Sequence, residues 1–170
     1  KLTKFKIDIK KQIRFLLTNL QSKEKVLVHR DFHVSNLMKY KNKIGVIDSQ
    51  DALIGNRAYD LASLIDDVRF RTDEIFKNKI YRYYLKLNKK RVNKATLLSD
   101  FEILSILRNM KIIGIFTRLA MRDKKKQYLK LIPYAWKLIE LRISNNNKFS
   151  ELKSLLELNF SKKIRNQRWR

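Results

Sequence analysis

In the run His29-Arg30-Asp31-Phe32-His33-Val34-Ser35-Asn36, an Asp stands five residues before an Asn, and Asp48 closes the next short apolar run, Gly45-Val46-Ile47. A carboxylate such as Asp31 can accept the proton of a hydroxyl or orient it. The Asn36 amide offers a neutral oxygen and Asp48 a second carboxylate, hard donors that suit Mg²⁺ sharing its shell with water and phosphates. Phosphoryl transfer needs these parts: a group on the acceptor hydroxyl, and a divalent cation that neutralises and aligns the phosphates. The plainer reading makes Asp31 and Asn36 turn residues and Asp48 a strand-end cap. The order of strand, loop, hairpin and Asp favours chemistry.

The elements around this stretch must bring Asp48 back to Asn36. Val26-Leu27-Val28 reads as a short strand feeding the loop. Residues 37–40 and 43–47 flank a polar Lys41-Asn42 turn, which predicts a small antiparallel hairpin. Apolar residues at three- and four-residue steps predict an amphipathic helix over residues 2–20. A second helix is expected from about 59 to 70, with Leu61, Leu64, Ile65 and Val68 inward and Asp60 serving the free N–H groups of its first turn. Asp73 and Glu74 open a third, whose inward face should include Ile75, Phe76, Ile80, Tyr83, Tyr84 and Leu87. A long helix, buried on most sides and interrupted near Gly114, is expected over 96–119. Helices follow around 128–143 and 149–158, with Pro133 kinking or delaying the first. Tyr81, Tyr83, Tyr84 and Trp136 read as core residues on helical faces. The division expected is a catalytic lobe over 1–160 and a loosely attached basic tail over 161–170. The fold class expected is α+β, mainly α-helical, with a small β-hairpin.

The chain has 170 residues, 44% of them hydrophobic, with three Gly and one Pro. That composition excludes a disordered, collagen-like or linker-dominated chain and allows one domain with a real core. It begins with Lys1, as a fragment or processed product would. No apolar run is long enough to span a bilayer, and no Cys is present for disulfides, thiolate zinc sites or nucleophilic catalysis. A cytoplasmic location is the default expectation. The net charge of +24 proposes nucleic acid or an anionic surface as partner. The Lys residues are spread through every segment, however, where a nucleic-acid reader would gather them on one face. Eight of the 16 acids lie between Asp31 and Glu74. That concentration favours a cation site over a groove for nucleic acid.

The motif His29-x-Asp31-x₄-Asn36 followed by Asp48 resembles the catalytic loop and metal-binding Asp of protein kinases. The residues beyond it, Asp48-Ser49-Gln50-Asp51-Ala52 and Gly55-Asn56-Arg57-Ala58-Tyr59-Asp60-Leu61-Ala62, depart from Asp-Phe-Gly and Ala-Pro-Glu. They resemble instead the aminoglycoside phosphotransferase and choline kinase-like family, and within it the bacterial cell-wall amino-sugar kinases acting on N-acetylmuramate and N-acetylglucosamine. Leu27-Val28-His29-Arg30-Asp31-Phe32-His33, Asn36-Leu37-Met38, Gly45-Val46-Ile47-Asp48, Gln50-Asp51-Ala52, Tyr59-Asp60-Leu61, 111–119 and Tyr128-Leu129 carry the likeness, which covers most of 26–140. The resemblance implies a kinase-like carboxy-terminal lobe and transfer from ATP, with Mg²⁺, to a small-molecule hydroxyl, here that of an amino sugar in cell-wall recycling. It implies that Asp31 is the catalytic Asp, that Asn36 and Asp48 are metal ligands, and that Asp60 is a carboxylate supporting the loop. Ser49 stands where the family usually has an aromatic.

Beside these, His29 and Arg30 are expected to fix the loop, the Asp already supplying an acid/base group. His33 is expected to pack, with substrate contact open. Asp51 could touch a second metal or the sugar, or cap a turn. Arg57 and Arg118 could meet an acidic substrate group. The three glycines are isolated at 45, 55 and 114, so no Gly-rich loop covers a nucleotide. An amino-terminal lobe with most of the ATP-binding surface is therefore expected to be missing, and the fragment alone inactive. The alternatives are an aminoglycoside or choline-like acceptor, a basic nucleic-acid-binding helical module, or a degenerate kinase-like interaction domain.

Overall fold

The computed structural model describes residues 2–144, 146–167 and 169. Their packing divides into two compact units, one formed by 21–105 and the other by the described residues of 1–20 and 106–170. Each buries its own core.

The unit of 21–105 carries all the strands. β1 (Val26–Val28) pairs antiparallel with β4 (Leu53–Gly55), setting Val26 opposite Gly55 and Val28 opposite Leu53. β2 (Leu37–Tyr40) and β3 (Lys43–Val46) form the antiparallel hairpin, with Leu37 opposite Val46. Its turn bends at Lys41, which takes a left-handed φ of 52°. The hairpin expected from the polar Lys41-Asn42 pair is present; β4 was not anticipated. Three residues leave no alternation to read, and β4 is defined by its partner β1.

α2 spans Ala58–Ile65 and stops short of the predicted 70. Leu61, Ile65 and Val68 are buried as expected and Leu64 is half-buried, while Ala58 and Ala62, which were not anticipated, are buried as well. The helix ends at Asp66, whose backbone leaves the helical region at φ −107° and ψ 41°, and the carboxylates of Asp66 and Asp67 bond to Ser105 Oγ and Val34 N, respectively. Its first turn is served not by Asp60 but by Asn56, whose Oδ1 accepts from Ala58 N at 2.9 Å. Asn56 in turn donates from Nδ2 to Asp100 at 2.7 Å. The buried Asp100 also receives Gln21 N and Ser22 N, at 2.7 and 2.9 Å, and so pins the start of the unit.

α3 runs over Glu74–Leu87. Asp73 caps it, accepting from Phe76 N at 2.7 Å. Its packed face is only partly the one predicted: Ile80 and Tyr84 are half-buried, but Ile75, Phe76, Tyr83 and Leu87 are exposed, and Lys77 is buried. The face turned because Lys77 Nζ donates to Ile65 O at 2.6 Å and lies 3.3 Å from the Asp66 carboxylate. Tyr81 packs on Phe101 with ring centroids 5.3 Å apart, and burial, reinforced by Glu102, pushes its phenol up to about 12. Replacing the exposed cap by Asp73→Ala is expected to cost about 1 kcal/mol. Thermal unfolding would read this out, and an unchanged midpoint would show that the first turn of α3 is held by packing instead.

α4 extends without interruption over Lys94–Arg122, 29 residues. Around residues 100–109 it is buried on most sides, as predicted. Gly114 causes no break: it lies on an open face, where an added Cβ would meet nothing within 4 Å.

In the other unit, α1 (Leu2–Thr18) buries Gln12 and Leu16, and Gln12 Nε2 donates to Glu151 of α6 (Ser150–Asn159) at 2.7 Å. Phe5 meets Phe160 edge-on at 5.6 Å, and Trp136 of α5 (Ile132–Ile143) lies 5.1 Å from the same ring. Pro133 delays rather than kinks α5. It sits in the first turn, where its missing N–H is no loss, and a 3-10 segment over Lys126–Leu131 precedes it. After Ser161, whose Oγ accepts from Ile164 N at 3.3 Å, the short α7 (Lys162–Arg165) holds Arg165 buried against the Glu140 carboxylate. Among the described residues of 161–170, Arg165 is thus held by an ion pair to α5. No helix among the described residues is long and apolar enough to cross a membrane.

Candidate active site

Nine of the ten residues singled out for chemistry or its support, His29, Arg30, Asp31, His33, Asn36, Asp48, Asp51, Arg57 and Asp60, lie in the unit of 21–105; the tenth, Arg118, does not. β1 delivers the chain to His29 with Val28 buried beneath it. Asp60, on the first turn of α2, then accepts two consecutive backbone donors, His29 N at 2.6 Å and Arg30 N at 3.0 Å. Arg30 has a φ of 73°, a left-handed conformation that a non-Gly residue adopts only when its surroundings impose it. The carboxylate bridging two adjacent N–H groups supplies that constraint. The turn presents Asp31 outward.

Beyond Asp31 the loop closes on itself. His33 N donates to Asp31 O at 3.0 Å, and Asn36 N to His33 O at 2.9 Å. The Asn36 side chain donates from Nδ2 to Asp31 O at 2.9 Å. Because a carbonyl oxygen only accepts, this bond orients the amide and leaves Asn36 Oδ1 without a hydrogen bond among the described residues. Ile47 N donates to Asn36 O at 3.1 Å, and His29 Nε2 donates to Ile47 O at 3.0 Å. That second bond places the proton of a neutral His29 ring on Nε2. Residue 47, the neighbour of Asp48, is thus tied to both ends of the 29–36 loop.

Asp48 itself takes a φ of 66°, the second left-handed residue of the site. Its carboxylate and that of Asp31 are exposed and make no hydrogen bond or ion pair among the described residues. A surface Asp with no partner on a strained backbone is oriented by its turn rather than by its own contacts. Two acidic groups and one amide oxygen are thereby uncommitted on one loop-and-hairpin unit. They fit Mg²⁺ as a partial set of hard oxygen donors, of the kind that phosphates and waters complete. No group of three or more His, Cys, Asp or Glu among the described residues could hold a metal unaided.

The remaining candidates fall out differently. His33 is buried at the start of a 3-10 turn over Val34–Asn36. Asp51 caps nothing among the described residues; its carbonyl accepts from Arg30 Nη1 at 3.3 Å while its carboxylate is exposed. Arg57 is largely buried and paired with Glu24. That partner takes up the charge offered to an acidic substrate group. Arg118 is exposed on the part of α4 that belongs to the other unit. The sequence reading missed Asp67, whose carboxylate accepts from Val34 N at 3.3 Å and from Arg69 N at 3.0 Å. Two adjacent acids at the end of an apolar helix look like a solvated terminus, and only the fold shows both buried.

With this geometry in hand, comparison with known proteins is decisive. Residues 2–109 match the Phosphotransferase enzyme family. The chain belongs to that family. It is 39% identical over 123 residues to the N-acetylmuramate/N-acetylglucosamine kinase of Neisseria meningitidis, a match covering 69% of this chain and 37% of that protein. Its identity to the Pseudomonas aeruginosa protein of the same name is 31% over 146 residues, covering 83% of this chain and 43% of the relative. The Caulobacter vibrioides protein of that name is 30% identical over 121 residues, or 68% of this chain and 33% of the relative. The chain thus spans well under half the length of these curated relatives. Its mainly helical fold with a small hairpin is the class expected for the carboxy-terminal lobe of a kinase-like phosphotransferase.

Proposed function

We propose that the polypeptide carrying this chain transfers the γ-phosphoryl group of ATP to a hydroxyl of an amino sugar, N-acetylmuramate or N-acetylglucosamine. The observation that carries the reading is the pair of uncommitted, exposed carboxylates, Asp31 beside the Arg30 turn that Asp60 holds and Asp48 beside Ile47, which is tied to the same loop. The acceptor class comes from the names of relatives 30–39% identical to this chain.

In this reading Asp31 accepts a hydrogen bond from the acceptor hydroxyl, aligns its oxygen on the γ-phosphorus and takes its proton as the new P–O bond forms and the bond from that phosphorus to the β,γ-bridging oxygen breaks, releasing ADP. Asn36 Oδ1 and Asp48 would hold Mg²⁺, which supplies charge neutralisation on the nucleotide phosphates. His29, Arg30 and Asp60 keep the Asp31 turn in place, and Asp51 stands near enough to Arg30 to border the acceptor. Most of the nucleotide's other wall comes from a second lobe. In support, the unit of 21–105 leaves Leu27 and Ile54 exposed on the β1–β4 sheet and Met38, Tyr40, Ile44 and Val46 exposed on the hairpin. Leu27 and Ile54 stand opposite each other on one face of their sheet, while Met38 with Tyr40 and Ile44 with Val46 lie on the two opposite faces of the hairpin, and such exposed apolar pairs would suit a covering lobe.

The test is coupled ATP turnover by the full-length polypeptide against N-acetylmuramate, N-acetylglucosamine, an aminoglycoside and choline. Turnover with either amino sugar is expected, and none from residues 1–170 alone. Turnover confined to the aminoglycoside or choline would overturn the acceptor assignment. Silence with every acceptor would overturn the kinase reading.

A further inference from the structure

α2 is eight residues long, about 12 Å end to end, and the acids at its two ends reach the same loop. Asp60, in the first turn, holds His29 N and Arg30 N at the loop's entry. Asp67, two residues past the helix, is fully buried and holds Val34 N at 3.3 Å through Oδ2. Its Oδ1 accepts from Arg69 N at 3.0 Å, which fixes the carboxylate plane and so aims the other oxygen. Val34 opens the 3-10 turn that ends at Asn36, and the N–H at the head of such a turn has no partner within it. Asp67 provides that partner. The loop between Asp31 and Asn36 is therefore suspended from one short helix at two points.

We propose that Asp67 is a positioning residue for phosphoryl transfer: by accepting from Val34 N–H it fixes the turn that carries Asn36, as Asp60 fixes the turn that carries Asp31. The inference rests on the phosphotransferase reading above. It gives the second of two adjacent acids a task distinct from the first, since Asp66 bonds Ser105 Oγ and faces Lys77. A turn held only by its own bonds could swing Asn36 Oδ1 away from a shared cation without unfolding anything.

Two substitutions isolate the bond. Asp67→Asn keeps the shape but turns one acceptor oxygen into a donor. Val34→Pro deletes the N–H from the other side; His33 before it is already extended, at φ −134° and ψ 166°, and proline is well suited to the first position of a helical turn. In amide exchange on the full-length polypeptide, either change should speed the Asn36 N–H, leaving His29 and Arg30 N–H protected by Asp60. In kinetics, either should raise the Mg²⁺ concentration for half-maximal turnover about tenfold, with kcat recovered at saturating Mg²⁺. The double variant should behave like either single one, because both remove the same bond. Unchanged Asn36 exchange in both single variants would overturn the proposal, as would a lowered melting temperature with an unaltered Mg²⁺ requirement. Were the wild-type polypeptide to show no turnover at all, the parent reading would fall, while the exchange comparison would still decide whether Asp67 governs the Asn36 turn.

Discussion

Asp31→Asn is expected to lower kcat of the full-length polypeptide by about 10²–10⁴-fold, the range spanned by a positioned acid–base group. The Asp31 carboxylate is exposed and makes no hydrogen bond or ion pair among the described residues, so the substitution removes a charge without breaking a structural bond. Within the loop it is the Asp31 carbonyl that accepts, from His33 N and Asn36 Nδ2, and it is untouched, as are the bonds to Asp60 and Asp67. Stability should accordingly stay within about 0.5 kcal/mol of the parent, as for a surface change away from caps and pairs. Coupled turnover at saturating ATP, acceptor and Mg²⁺, run beside thermal unfolding, separates the two effects. An asparagine variant that keeps most of its kcat would remove Asp31 from the reaction. A variant that loses kcat only in proportion to lost folded protein would mean that the loop depends on the carboxylate structurally, contrary to its contacts.

The contrast between Asp31 and its supports explains what could be read from the chain alone. A loop fixed mainly by its own backbone announces itself in local sequence: Val26-Leu27-Val28, the turn at Lys41-Asn42 and the stretch to Asp48 each carry turn or strand chemistry within a few residues. Chemistry that depends on residues distant in sequence does not. Asp60 is spaced like a helix-start carboxylate, yet Asn56 does that work, and it was the family resemblance rather than the spacing that assigned Asp60 to the loop it reaches. Arg57 looked free for a substrate, and Glu24 takes it. The inward face of α3 was misjudged for the same reason, because hydrophobic periodicity counts Lys77 as solvent-facing while a buried carboxylate elsewhere in the unit draws it in. The turned face leaves Tyr83 and Leu87 outside, where the spacing alone had put them in the core. The interruption expected at Gly114 failed on simpler grounds: a glycine inside a long, well-packed helix lowers its stability without ending it.

Lys77 is also where the largest stability effect is expected. Its side chain is 4% exposed and that of Asp66 0%, with Nζ 3.3 Å from the carboxylate. Asp66 takes a further bond from Ser105 Oγ at 2.5 Å, and Lys77 gives one to Ile65 O at 2.6 Å. These bonds join the end of α2 to α3 and to the first half of α4. Lys77→Ala removes the cation and leaves a charged, water-excluded carboxylate. Breaking a buried pair from one side costs about 3–5 kcal/mol, and chemical denaturation of the 170-residue chain should show a loss of that order. The joint change Asp66→Asn with Lys77→Met removes both charges at nearly constant volume and should recover much of it, since the pair itself contributes little net stability beyond relieving its own burial. If the single and double variants were equally destabilised, the pair's worth would lie in its hydrogen bonds to Ser105 and Ile65 rather than in charge. If Lys77→Ala were neutral, α3 would not be held to α2 by this contact at all. Because Asp67 follows Asp66 directly, a loosened α2 terminus should also speed amide exchange at Val34, linking the stability of this buried pair to the turn that carries Asn36.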